Sequence, residues 1–344
     1  MPITAFEVGW LGKIEAAYGT AETLSTTDDG LLPYIPDDGP EAPSGVDYVA
    51  DGNIGRAPGN SPAPARRIQP AGRFSAFSLP VMFRGAGTSY ATSSVTPPNE
   101  VHRCLQASGF DATYDETDDE WLYTLTPLGN TFKGMTVRRY AHGKQWQTEG
   151  TLFDFSYEAS GLMAPMVTFA GRGRMGAVPT DQSLPSITVT DEEIFPPLAQ
   201  AVVANLGDFA FAGTSTAALR STSFALNRST DNPRIDQTLA GGHAGFFPGY
   251  CRPTWTVVME RTAAVLTPFH TANGLDVEAL REAATSVPLA FRYGTASGDR
   301  WTIGSDNAQL ATVTSQQESG IALVSLEFVG HVEGSDRPCY LLFD

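Results

Sequence analysis

RRYAHGKQW (138–146) followed by SGLMAPMVTFAGR (160–172) decides the reading of this chain, because the same succession returns as FRYGTASGDRW (291–301) and SGIALVSLEFVGH (319–331). Gly143 and Trp146 match Gly298 and Trp301. Gly161, Phe169 and Gly171 match Gly320, Phe328 and Gly330. Outward from these blocks the order of elements also repeats. RFSAFSLPVMF, from Arg73, alternates apolar and polar residues as a half-buried strand does, and so does RPTWTVVMERT, from Arg252. A short helix follows each. NEVHRCLQAS has Asn99 as N-cap and Gly109 as stop, and DVEALREAATS has Asp276 as N-cap. WLYTLTP, GMTVRRYAH and APMVTFAG supply further strands in the first copy, and PLAFRYGT, RWTIGS and ALVSLEFVG in the second. The expectation is a mainly β protein with an internal duplication, each copy running strand, short helix, then hairpins.

The division expected is an extended N-terminal segment over 1–72, a first module over 73–176, a connector over 177–215, a second module over 216–334 and a tail over 335–344. Proline and glycine recur in LLPYIPDDGPEAPSG and GRAPGNSPAPARRIQPAG, so residues 1–72 offer no long helix or central strand and no core of their own. They still carry Trp10, Ile14 and Tyr18, which favours ordering by contact. The connector holds Pro179, Pro185, Pro196 and Pro197.

Charge narrows the function classes. Thirty-eight acidic against 22 basic residues leave −16 in a chain of 344, of which only 17% is charged. A protein that grips nucleic-acid phosphates needs a basic face, which this composition opposes. Three scattered cysteines (Cys104, Cys251, Cys339) fit buried thiols better than a disulfide framework or a zinc site. The opening residues lack a basic-then-apolar leader. The most apolar stretch, 198–219, is interrupted by Gln200, Asn205 and Asp208, so no membrane span is expected.

Local motifs for chemistry fail on context. GRGRMG (171–176) matches a dinucleotide-binding glycine pattern, but Pro179 and Pro185 exclude the helix that must follow, and a strand-ending turn is expected there. The acidic run DETDDE (115–120) lacks calcium-loop spacing and reads as a solvated loop. The five histidines form no metal pair, and no nucleophile elbow is present. No catalytic residue, metal site or cofactor is expected, and the chain is read as a non-enzyme. The alternative kept open is an acidic β-sandwich glycoside hydrolase or carbohydrate-binding protein, since two carboxylates can act without a local motif.

KIEAAYGT (Lys13 to Thr20) resembles a segment near the start of tail tube proteins of siphovirus-like bacteriophages, whose long tails do not contract. SLPVMFRGAGTSYATSSVTPPNEVHRCLQASGF resembles that family's strand, glycine-rich loop and helix, carried here by Gly85, Gly87, Pro97, Leu105, Gly109 and Phe110. YTLTP (123–127) and the strand from Gly150 to Phe155 also fit, and GYCRPTWTVVMERT fits more loosely. The resemblance implies duplicated two-sheet β-sandwich or barrel modules, each with a flanking short helix, in a structural virion protein assembled in the host bacterial cytoplasm. Six modules form a ring, rings stack into a hollow tube, and DNA passes through the lumen during ejection without specific binding. Its partners would be copies of itself and other tail proteins (tape measure, tail terminator and tail tip). A chain with two modules implies homotrimeric rings of pseudo-sixfold symmetry, with hexameric rings as the alternative. Trp10, Lys13, Ile14 and Tyr18 are the expected inter-ring contacts. Trp146, Gly161, Phe169, Trp301, Gly320 and Phe328 mark the duplicated modules.

Overall fold

The computed structural model describes residues 8–31, 44–50, 68–82, 99–117, 120–126, 132–141, 143–160, 166–176, 180–187, 202–205, 219–230, 232–235, 243–260, 281–282, 284, 286–293, 301–334 and 336–343. The first half contains β1 (Val8–Ile14), β2 (Gly30–Leu31), β3 (Ser44–Ala50), β4 (Ile68–Met82), helix α1 (Asn99–Ala107), β5 (Phe110–Asp115), β6 (Glu120–Leu125), β7 (Met135–Ala141), β8 (Lys144–Ser160), β9 (Met166–Met175) and β10 (Thr180–Asp181). The second contains β11 (Val202–Asn205), β12 (Leu219–Ala225), β13 (Asn232–Ile235), β14 (His243–Phe247), β15 (Thr254–Glu260), β16 (Ser286–Tyr293), β17 (Trp301–Glu318), β18 (Ile321–Gly330) and β19 (Tyr340–Phe343). The protein is therefore mainly β. Among the described residues seventeen strands pair, all antiparallel, into one connected sheet, and β13 with β14 forms a separate hairpin.

The order of pairing recurs. In the first half β1 pairs with β7, β7 with β8, β8 with β9 and β9 with β4. In the second β11 pairs with β16, β16 with β17, β17 with β18 and β18 with β15. Within these runs Phe169 lies opposite Phe155 and Leu79, and Phe328 lies opposite Leu310 and Trp255. Trp146 opens β8 opposite Arg139, and Trp301 opens β17 opposite Tyr293. Alternation explains these strands. TWTVVME (254–260) buries Trp255, Val257 and Met259 and turns its intervening residues to the other face.

Helix α1 starts at Asn99, as expected, and buries Val101, Cys104 and Leu105. Ser108 N–H and Oγ both return to the Cys104 carbonyl, and Gly109 at φ +86° ends the helix. Of the helix expected at 276–286, only 281–282, 284 and 286 are described, and 281–282 are helical. Gly161 lies outside the described residues. Gly320 turns the β17–β18 hairpin at φ +85°.

Four expectations change on contact with the structure. Residues 8–14 are a strand of the first half's sheet, not part of a coreless segment. Trp10 is 3% exposed and Leu11 0%, because β7 offers them a seven-residue partner. The tail over 335–344 contains β19, whose Leu341 and Phe343 are fully buried. GRGRMG runs on as strand through Met175 rather than turning. Its glycines serve close packing: a Cβ on Gly171 would lie 2.6 Å from the Phe153 ring, and one on Gly173 2.7 Å from the Glu149 carbonyl. The connector 177–215 includes β10 and β11, both paired into the large sheet.

Candidate assembly seam

The two halves meet along β12. On one edge it pairs with the far end of β8, from Ser221 opposite Ser160 to Ala225 opposite Ser156. On its other edge it pairs with β15. Leu226 N–H continues the ladder to the Phe155 carbonyl at 2.8 Å. The core crosses the seam with it. Ring centroids step from Phe153 to Phe169 (5.8 Å), Phe155 (5.7 Å), Phe224 (5.0 Å) and Trp255 (4.9 Å), so aromatic packing runs unbroken from one half into the other.

Tyr157 of β8 projects into the second half. Its ring stands edge-on to Tyr293 at 5.6 Å and Trp301 at 5.7 Å, and near-parallel to Phe224 at 6.1 Å. The Tyr293 and Thr222 hydroxyls lie 2.6 Å apart. Burial raises the pKa of both phenols, that of Tyr157 well above its ordinary value, so both remain neutral. Next to them the Asp154 carboxylate accepts the backbone N–H of Arg228 at 2.9 Å and that of Phe155 at 3.0 Å. Burial raises the Asp154 pKa despite these bonds. The Arg228 guanidinium, over the Phe132 ring at 5.2 Å, lies where a Cβ on Gly109 would be, 2.7 Å away. The glycine that ends α1 thus also admits an arginine from the opposite half.

Two more clasps join the halves. β19 pairs with β17 on one edge and with β6 on the other, so the chain's final strand lies between second-half and first-half partners. The β13–β14 hairpin reaches the first half through Phe246, 3% exposed, over which the Arg172 guanidinium stands at 5.1 Å. The Tyr18 hydroxyl accepts the Phe246 N–H at 2.9 Å and donates toward the Phe246 carbonyl at 2.6 Å, with the Gly150 carbonyl at 3.1 Å.

That tyrosine belongs to KIEAAYGT, whose other residues have comparable duties. Glu15, 5% exposed, accepts the N–H groups of Gly19 (2.6 Å) and Gly150 (2.7 Å) and the Thr136 hydroxyl (2.8 Å). Burial raises its pKa, opposed by those bonds and aided by the Glu149 charge. Ile14 packs against the core. Trp10 is tilted against Phe77 at 5.4 Å, with the Arg139 guanidinium 5.0 Å over its ring. Lys13 reaches Glu22 at 3.8 Å and keeps a side chain 42% exposed. Of the four expected inter-ring residues, Trp10 is buried, and Lys13, Ile14 and Tyr18 are half-buried.

The module markers Phe169 and Phe328 are buried at the centre of each half, and Trp301 is 2% exposed under Tyr157. Trp146 is half-buried, with Arg139 6.0 Å over its ring. Sequence reasoning missed Tyr157, Asp154, Phe224 and Arg228. Only the matched strands around them pointed there. Among the described residues, no group of three or more His, Cys, Asp or Glu is gathered as a metal ion requires.

The face of the sheet opposite the aromatic core is polar. A shallow open groove along the seam is lined by Ser156, Glu158, Thr168, Ser223, Thr254 and Thr256, among others. Glu327 lies opposite Thr256, and Glu260 pairs with Arg220 at 2.6 Å. No family model matches the chain, and no curated protein has significant sequence similarity to it.

Proposed function

We propose that this chain is the structural subunit of a phage tail tube, as the resemblance of its N-terminal and first-half motifs implies. Each chain supplies two sandwich-like modules, three chains close a ring of pseudo-sixfold symmetry, and stacked rings form a conduit for DNA. The observation that carries the reading is the seam. Two halves with one pairing order are joined edge to edge by β12, and a protein that joins its own modules this way can join those of a neighbour by the same device.

The polar face of the seam supports a conduit role. Hydroxyls and the carboxylates Glu158, Glu260 and Glu327 offer phosphates little to bind, in keeping with a net charge of −16. Among the described residues lining the groove Glu158 alone is a carboxylate, which does not support the carboxylate pair that a glycosidase needs. Other tail proteins would cap the tube at either end. Negative-stain electron microscopy of the concentrated, full-length protein tests the reading. Rings or hollow tubes are expected, and a monodisperse monomer at every concentration and salt would overturn it.

A further inference from the structure

The groove along the seam has a floor of four adjacent strands, β9, β8, β12 and β15, and their register sets its side chains in two rows. One row runs Thr168, Ser156, Ala225 and Thr254, each opposite the next. The other runs Glu158, Ser223 and Thr256. Neighbouring strands lie about 4.8 Å apart, so the longer row crosses about 14 Å and offers a hydroxyl at nearly every step. Ala225, its smallest member, keeps the middle of the row open. Among the described residues the hydroxyls of Ser156, Thr168, Ser223 and Thr256 have no hydrogen-bond partner.

One end of the groove is built with more detail. The Asn227 side-chain amide donates to the Arg252 carbonyl and to the Thr254 hydroxyl, each at 3.1 Å, which fixes it there. Two residues on, the Ser229 N–H donates to the Tyr250 carbonyl at 3.3 Å, and Tyr250 is 81% exposed. An unburied aromatic ring thus borders the Asn227 end of a hydroxyl-lined floor.

The floor discriminates between classes of occupant. A further strand has no edge to join, because β8 lies between β9 and β12, β12 between β8 and β15, and β15 between β12 and β18. A phosphate or sulfate ligand needs cations, and among the described residues the lining contains neither lysine nor arginine. An apolar ligand would strip water from the hydroxyls and give them nothing in return. The chemistry that fits is neutral, extended and itself rich in hydroxyls, with an apolar face for an aromatic ring. We propose that the groove binds a neutral oligosaccharide lying across the four strands. Its hydroxyls bond to Ser156, Glu158, Thr168, Ser223 and Thr256, and one of its rings stacks on Tyr250. This site goes beyond the tube reading and does not rest on it.

Calorimetric titration of the dilute, full-length chain with cellohexaose, maltohexaose, xylohexaose and chitohexaose tests the proposal. At least one should bind with a dissociation constant below about 1 mM. Tyr250→Ala and Thr256→Val should each weaken that binding by about fivefold or more. Ala225→Trp, which fills the middle of the groove, should abolish it. Each variant should melt within a few degrees of the wild type. No saturable binding of any of the four sugars, or binding that all three variants retain, would overturn the site. A sulfated heparin hexasaccharide that binds more tightly than every neutral sugar would also overturn it. None of these outcomes bears on tube formation, so the site and the tube reading fail separately.

Discussion

Glu15 shows how one residue organises the start of the chain. Its carboxylate satisfies two backbone donors and a hydroxyl at 2.6–2.8 Å while almost wholly buried. Glu15→Ala would leave the Gly19 and Gly150 N–H groups without an acceptor and should destabilise the fold by about 3 kcal/mol in denaturant unfolding. Glu15→Gln keeps an acceptor and removes a charge that burial disfavours, so it should cost much less. His102 offers a second test. Burial, with help from Lys133 and Arg103, lowers its pKa from 6.5 to about 4. The folded state therefore favours neutral imidazole, while the unfolded chain takes up a proton below about pH 6.5. This contribution is present above pH 6.5 and is lost as pH falls toward 4. The melting temperature should drop over that window, and the drop should be smaller in His102→Gln, in which nothing titrates at position 102.

At the scale of elements, β19 is the one whose removal should matter most. Its four residues pair with both halves and bury Leu341 and Phe343. Leu341→Ala should cost about 2–5 kcal/mol in denaturant unfolding. Deleting residues 336–344 should expose the β6 and β17 edges and yield aggregates on gel filtration. Little of this strand was legible in the sequence, because YLLF is too short to show alternation and only a partner on each side makes it central. β1 was hidden because VGWLGKI spaces its apolar residues with glycines. One of these, Gly12, has Leu31 and Met135 where its Cβ would be. β8 extends far past its recognisable part because a bulge between Glu149 and Leu152 breaks the period. By contrast, β15, β18 and α1 were plain, since uninterrupted alternation or a capped apolar face specifies each locally. The seam was the least legible part. Tyr157 meets Phe224, and Arg228 meets Asp154 and Phe132, across the two halves, and nothing in their local spacing brings them together.

At the scale of the whole molecule, the recurring order of pairing and the shared seam form one argument. On the proposed tube reading, a chain whose halves pair in the same order, and whose joint between halves is a strand ladder, would supply part of a ring that copies complete. On that reading two modules per chain would give three chains per ring, with three joints inside chains and three between them. The polar, carboxylate-bearing face of the seam should then repeat around the inner wall. The most direct measurement is a cryo-electron microscopy reconstruction of the assembled protein. The account predicts a hollow tube of stacked rings, each with three chains and six similar modules. A particle without a lumen, or a protein that stays monomeric in the grid, would contradict it.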